Sequence, residues 1–179
     1  RIKREAGEIY VARQRDMPGS DFLSGFDWPA PGRESGVFGS QRIDNGVPMT
    51  PHFGVDMAAP TGTPIYATAN GTVSKAAWFS SYGLYVSIEH GGQLQTRYAH
   101  MSRFAVVTGQ PVEASDVIGA IGSTGRSTGP HLHFEIYDAD DNLIEPFAGA
   151  CNALNDESWW AVQPPYRDSK INRLATNSA

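Results

Sequence analysis

The sequence predicts a mostly β fold, a compact antiparallel sheet domain. Three observations point there. Short runs rich in β-branched and aromatic residues recur through the middle of the chain, each only four to seven residues long. Glycine (19) and proline (12) punctuate them as turn residues. Asn70-Gly71 lies between the first two runs and predicts a tight hairpin there.

In chain order, the first 16 residues place Ile2, Ala6, Ile9 and Ala12 at helical spacing among charged residues, so a short amphipathic helix is expected. Residues 17–36, including Trp28-Pro29-Ala30-Pro31-Gly32, read as an irregular linker. The strand candidates follow: Ile65–Ala69, Gly71–Ala76, Leu84–Glu89, Gln93–Tyr98, Ile118–Ile121 and His131–Tyr137. They define a central domain over residues 37–149. Residues 150–179 form a C-terminal extension in which Trp159-Trp160 and Pro164-Pro165-Tyr166 are expected to pack as apolar surface, and the polar residues from Asp168 onward to lack order.

Composition narrows the function. A chain of 179 residues, 40% hydrophobic, suits one domain with a real core. Its net charge of −5, without blocks of like charge, argues against nucleic acid as the main partner. No apolar run approaches the length of a membrane span. Cys151 is the only cysteine, which excludes a disulfide within the chain and reads as a small packed residue.

The chemistry concentrates in two segments. His131-Leu132-His133 lies in a run, Phe134 to Tyr137, that favours a strand, and residues i and i+2 of a strand share a face. Upstream, His52 and Asp56 are four residues apart, a spacing that brings two side chains to one face in either regular structure. Gly54 between them has no side chain and is expected to leave space for a ligand. A catalytic zinc ion takes three nitrogen or oxygen donors and keeps one position open. His52, Asp56 and either His131 or His133 meet that count, and the other histidine is then available for acid–base work. The helical H-E-x-x-H zinc motif is absent. His90, before Gly91-Gly92, reads as a turn residue at a strand end and is left out of the site.

These motifs together resemble the lysostaphin-type, or LytM-type, zinc metallopeptidases of bacterial peptidoglycan. His52 and Asp56 match the family's H-x-x-x-D, and Met57 through Ala67 resembles its continuation. Tyr98-Ala99-His100-Met101 resembles its Y-x-H-L, Gly119 through Gly125 its glycine-rich approach, and His131-Leu132-His133 its H-x-H. The resemblance runs from about Phe38 to about Pro146. It implies that His52, Asp56 and His133 bind Zn2+ and that His100 and His131 are the catalytic histidines, with their division of labour open. It implies a groove across the sheet with the metal at its floor, walled by loops near residues 45–51, 78–83 and 122–130. The implied enzyme is a monomeric zinc metalloendopeptidase that cleaves peptide stems and cross-bridges of peptidoglycan in the periplasm or outside the cell, as a processed form or fragment of a longer precursor. Glycine bridges and D-Ala–diaminopimelate cross-links are both admissible. The Phe38-Gly39-Ser40-Gln41-Arg42 segment resembles one common in Gram-negative members and leans toward the second. Arg42 is read as a salt-bridge residue or a contact to a substrate carboxylate, and Arg126 as a solvated loop residue or a substrate contact. Residues 45–51 lack the tyrosine that some members carry before the first ligand. Two other roles fit the same resemblance, a non-hydrolytic activator of a cell-wall amidase and a secreted peptidase acting on proteins or on other bacteria.

Overall fold

The computed structural model describes residues 26–41, 43–92, 94–138 and 142–144. The expected N-terminal helix, the C-terminal extension, Arg42 and Cys151 lie outside the described residues. The chain divides into two units at Pro146/Phe147, and all described residues belong to the first.

The described residues form twelve strands: β1 (Arg33–Gly36), β2 (Ile43–Asp44), β3 (Val47–Pro48), β4 (Val55–Ala58), β5 (Pro64–Tyr66), β6 (Gly71–Phe79), β7 (Gly83–Glu89), β8 (Gln95–Phe104), β9 (Pro111–Val112), β10 (Val117–Ile121), β11 (His131–Tyr137) and β12 (Leu143–Ile144). Ten belong to one sheet, in the order β1-β4-β11-β8-β7-β6-β9, with β10 joining β5 to β8 and β12 beside β11. Every pairing in it is antiparallel. The mostly β, antiparallel expectation therefore holds. No helix among the described residues is long and apolar enough to cross a membrane.

Alternation explains why these segments are strands. On β11, Leu132, Phe134 and Ile136 point to one face and are buried with Val55 and Met57 of β4, Tyr98 of β8 and Ile88 of β7. The opposite face of β11 carries His131, His133, Glu135 and Tyr137. A one-residue slip would exchange the two sets, so the register that buries the apolar set also fixes where the histidines go.

Two expectations fail for identifiable reasons. Asn70-Gly71 does not close a hairpin. β5 ends at Tyr66 and pairs with β10, while β6 pairs with β7. A type I′ turn needs positive φ at both central residues. Asn45 and Gly46 supply it, with φ of 50° and 80°, and close the small β2–β3 hairpin; neither Asn70 nor Gly71 has a positive φ. Gly71 instead lies where a side chain would meet Ile88 and the ring of His90. The second failure is Arg33–Gly36, expected to be irregular. This polar, mostly exposed stretch pairs as an edge strand with β4, stabilised by its backbone hydrogen bonds.

Candidate metal centre

Sheet register builds the centre. His133 on β11 lies directly across from Asp56 on β4. His52 precedes β4 and is pinned by two backbone hydrogen bonds: its N–H donates to Ser40 O (2.9 Å) and its carbonyl accepts from Gly39 N–H (2.7 Å). The three side chains converge. His52 Nε2 lies 3.0 Å from His133 Nδ1 and 3.0 Å from Asp56 Oδ1, and His133 Nδ1 lies 2.8 Å from Asp56 Oδ1. Bonds of ~2.0 Å to a tetrahedral ion imply donor separations of about 3.3 Å. A triangle of one carboxylate oxygen and two imidazole nitrogens, slightly tighter than that, fits zinc in both chemistry and size.

Two glycines make the convergence possible. A Cβ on Gly54 would lie 2.6 Å from His133 Cε1 and 2.7 Å from Phe134 O. The space that the sequence assigns to a ligand at Gly54 is filled by the imidazole of His133. A Cβ on Gly36 would lie 2.6 Å from Asp56 Oδ2.

The electrostatics follow from crowding. Burial pushes the Asp56 carboxyl up, but the close approach of the His133 and His52 rings outweighs it and holds it well below the usual carboxylate range. Burial pushes His133 down, yet its hydrogen bonds to Asp56 and Glu135, and the charges of both, raise it to about 9. Without a metal, His133 is therefore an imidazolium whose Nδ1 proton sits among the three donors, the place a cation would take.

The expected catalytic histidines flank this cluster. His131 Nε2 is 3.8 Å from Asp56 Oδ1, and the His131 ring centroid is 4.7 Å from that of His100 and its side chain 16% exposed. His100 reaches the same face by an irregularity. Its neighbour Ala99 pairs with His133, so a regular strand would aim His100 at the opposite face. Where β8 pairs with β7 the register shifts between Leu84 and Val86, and His100 takes φ of 61°. This bulge turns its ring to 5.9 Å from that of His133. Burial holds His100 down at about 4, with His131 and His133 nearby adding to the effect against the hydrogen bond to Thr124 O.

Each histidine of the site has one ring nitrogen tied to an acceptor. His52 Nδ1–H donates to Val37 O (3.1 Å), His131 Nδ1–H to Gly129 O (2.8 Å) and His100 Nδ1–H to Thr124 O (2.8 Å). Their Nε2 lone pairs are thereby left for the centre. His133 is the exception in kind: its Nε2–H donates to a carboxylate, Glu135 Oε1, at 2.9 Å. Sequence reasoning missed Glu135, and with it Arg97 and Tyr82. Arg97 Nη1 donates to Glu135 Oε2 (3.0 Å) and to Tyr137 Oη (2.7 Å), and Tyr82 Oη–H donates to Glu135 Oε1 (3.2 Å). The signal was available, because Glu135 stands two residues after His133 on the same strand face. Burial pushes Glu135 up, but His133 and Arg97 hold it down at about 2.

Two of the expected wall loops are locked together at this end. Arg126 N–H donates to Ser81 O (2.9 Å) and Leu84 N–H to Thr124 Oγ1 (3.0 Å), while Thr124 Oγ1–H donates to Met101 O (2.7 Å). Gly83 and Gly125, both at positive φ, allow the close approach. His90 stays out of the site, as expected. It follows β7 and is fully buried, with Nδ1–H donating to Asn70 O and Nε2 2.7 Å from Thr96 Oγ1.

Comparison with known proteins now bears on this geometry. Residues 50–146 match Peptidase family M23. The chain belongs to this family. The matched M23 segment begins two residues before His52 and contains every histidine of the centre. Among relatives, the chain is 46% identical over 133 residues to the peptidoglycan DD-endopeptidase ShyC of Vibrio cholerae, covering 72% of this chain and 29% of that one. Among solved structures, a zinc-containing peptidase from Vibrio cholerae matches with a TM-score of 0.63 and 33% identity, covering 68% of this chain and 39% of that one. The catalytic domain of lysostaphin from Staphylococcus simulans matches with a TM-score of 0.57 and 28% identity, covering 70% and 92%. The lysostaphin-type resemblance is thus borne out. The chain spans less than a third of the length of the curated relatives it matches, from 19% to 29%.

Proposed function

We propose that this M23 domain is a zinc metalloendopeptidase of the bacterial cell envelope that hydrolyses peptide cross-links of peptidoglycan. The observation that carries the reading is the convergence of His52 Nε2, Asp56 Oδ1 and His133 Nδ1 within 3.0 Å of one another, beside two further histidines. His52, Asp56 and His133 hold the metal. Bound zinc supplies a lowered pKa for its water and polarisation of the scissile carbonyl.

The chain's own residues move the protons. His100 is neutral near pH 7, and Nδ1–H is committed to Thr124 O, so Nε2 takes the proton. His131, oriented by Gly129 O, stands next to it; the proton taken from the water passes by way of these two neighbouring rings to the leaving amine, and both histidines end neutral. Asp56 and the two ligand histidines are buried, which excludes bulk water from the donor side of the centre. Among admissible bonds, D-Ala-containing cross-links are favoured over glycine bridges, supported by the DD-endopeptidase activity named for ShyC.

Mass spectrometry of fragments released from purified peptidoglycan by the zinc-loaded protein tests this, with His131→Ala as control. New amine termini at one cross-link position, absent from the control, are expected. No release from any wall type at stoichiometric zinc would overturn the reading in favour of an amidase activator or a peptidase acting on proteins.

A further inference from the structure

We propose that Glu135 is a positioning residue for the metal centre: its carboxylate fixes the tautomer and ring orientation of His133, and Arg97 and Tyr82 hold that carboxylate in place. The inference rests on the reading of His133 as a metal ligand.

The geometry is direct. His133 and Glu135 lie on one face of β11, and Glu135 pairs across the sheet with Arg97 of β8. Glu135 Oε1 accepts His133 Nε2–H at 2.9 Å, and Oε2 accepts from Arg97 at 3.0 Å. With Nε2 protonated, Nδ1 is the only ring nitrogen that can offer a lone pair, and Nδ1 is the atom that faces His52 and Asp56. A ligand histidine whose other nitrogen is bound to a carboxylate is held in one tautomer and is the stronger donor.

Three features separate this from an ordinary buried ion pair. The other three site histidines meet neutral backbone carbonyls at the equivalent nitrogen, so the charge is specific to His133. The arrangement is also poor as a purely structural device. Arg97 is 1% exposed, and its Nε and Nη2 have no hydrogen-bond partner among the described residues. A buried pair of this kind rarely stabilises a fold more than apolar residues of the same volume would. Finally, the guanidinium that holds the carboxylate lies 3.8 Å from the Tyr137 ring centroid, and Tyr82 Oη–H donates to the same carboxylate oxygen that accepts from His133.

Zinc affinity by competition with a chromophoric chelator, for the wild type and Glu135→Gln, tests the proposal, together with the visible absorption spectrum of the Co2+-substituted proteins. Gln keeps the shape and an acceptor but removes the charge. We expect zinc affinity to fall about 10- to 100-fold, with a shifted Co2+ spectrum and an unchanged fold by circular dichroism. Tyr82→Phe, which removes one hydrogen bond to Glu135, shifts both readouts in the same direction by less. Should Glu135→Gln not fold, 15N spectra of the zinc-loaded wild type decide. A protonated Nε2 and metal-bound Nδ1 on His133 support the proposal, and the reverse assignment overturns it. Affinity within twofold and an identical Co2+ spectrum for Glu135→Gln would overturn the role of Glu135 alone. Failure of the wild type to bind zinc would overturn the metal centre as well.

Discussion

His90 and His133 are both buried histidines, 0% and 9% exposed, one just after β7 and the other on β11. Their surroundings are opposite. His90 meets one carbonyl and one hydroxyl, Asn70 O and Thr96 Oγ1, each at 2.7 Å, and Thr96 Oγ1 lies 3.1 Å from Tyr98 Oη. Both ring nitrogens there meet uncharged oxygen atoms. His133 meets two carboxylates and Nε2 of a second histidine. That arrangement converges ligating atoms that could hold a metal ion among them. Burial alone thus does not mark a functional histidine; an excess of converging lone pairs does.

The most severe way to break the comparison is at His133. His133→Ala removes a donor and leaves Asp56 and Glu135 facing an empty volume. Zinc binding, read by metal analysis after gel filtration, and peptidoglycan hydrolysis should be lost together. Hydrolysis that survives would show that the donors are assigned wrongly. His100→Ala separates chemistry from binding. His100 is within ring contact of His131 and His133 but outside the triangle of donors. The variant should bind zinc normally while kcat falls about a hundred- to ten-thousand-fold, the usual range for loss of an acid–base group.

Gly54→Ala sharpens the comparison without touching a donor. The added methyl would press on His133 Cε1 at 2.6 Å and on Phe134 O at 2.7 Å. Overpacking of this kind costs about 1–3 kcal/mol. The expected result is a lower melting temperature together with weaker zinc binding, since the displaced group is the ring itself. Normal affinity in a folded Gly54→Ala protein would show that the ring has room the structure does not indicate.

Acidity should act on the same centre. His133 in the metal-free protein keeps its second proton up to about pH 9, and zinc must displace the proton on Nδ1. Below that value, affinity is expected to fall by up to about tenfold per pH unit for this one proton. Chelator competition between pH 6 and 8, with one proton released per zinc bound in a weakly buffered solution, measures it. A flat profile would mean that His133 is not the group that gives up the proton.

These contrasts also show which parts of the molecule could be read in advance. The strand His131–Tyr137 was legible to the residue, because its alternation has one apolar face and one polar face. That His52, Asp56 and His133 come together was legible by resemblance, and register explains part of it, since His133 and Asp56 are cross-strand partners. The β1 strand was not legible, because Arg33-Glu34-Ser35-Gly36 has no apolar face and owes its conformation to its partner β4. Asn70-Gly71 misled for a related reason: the dipeptide permits a hairpin, but packing of Gly71 against β7 and His90 decides the backbone there. The orientation of His100 depends on a bulge in β8, and no local periodicity announces it. Glu135 was legible in principle from its i+2 spacing, but a carboxylate supporting a ligand leaves no motif of its own.

The mildest test lies at His90. His90→Ala deletes both hydrogen bonds of a fully buried ring and its edge contact with Phe26, whose centroid is 5.4 Å away. The Asn70 carbonyl and the Thr96 hydroxyl then lose a buried partner, at a cost of about 1–3 kcal/mol for each group that stays unsatisfied. Denaturant unfolding should report that loss. Zinc affinity and kcat of the folded fraction should stay within about twofold of the wild type, because the hydrogen-bond partners of His90, Asn70 and Thr96, are not among the donors. If zinc affinity fell as well, the two buried polar networks would be coupled through β8, the strand that carries both Thr96 and His100. The contrast between a closed structural network and an open metal-binding one would then have to be redrawn as one continuous system.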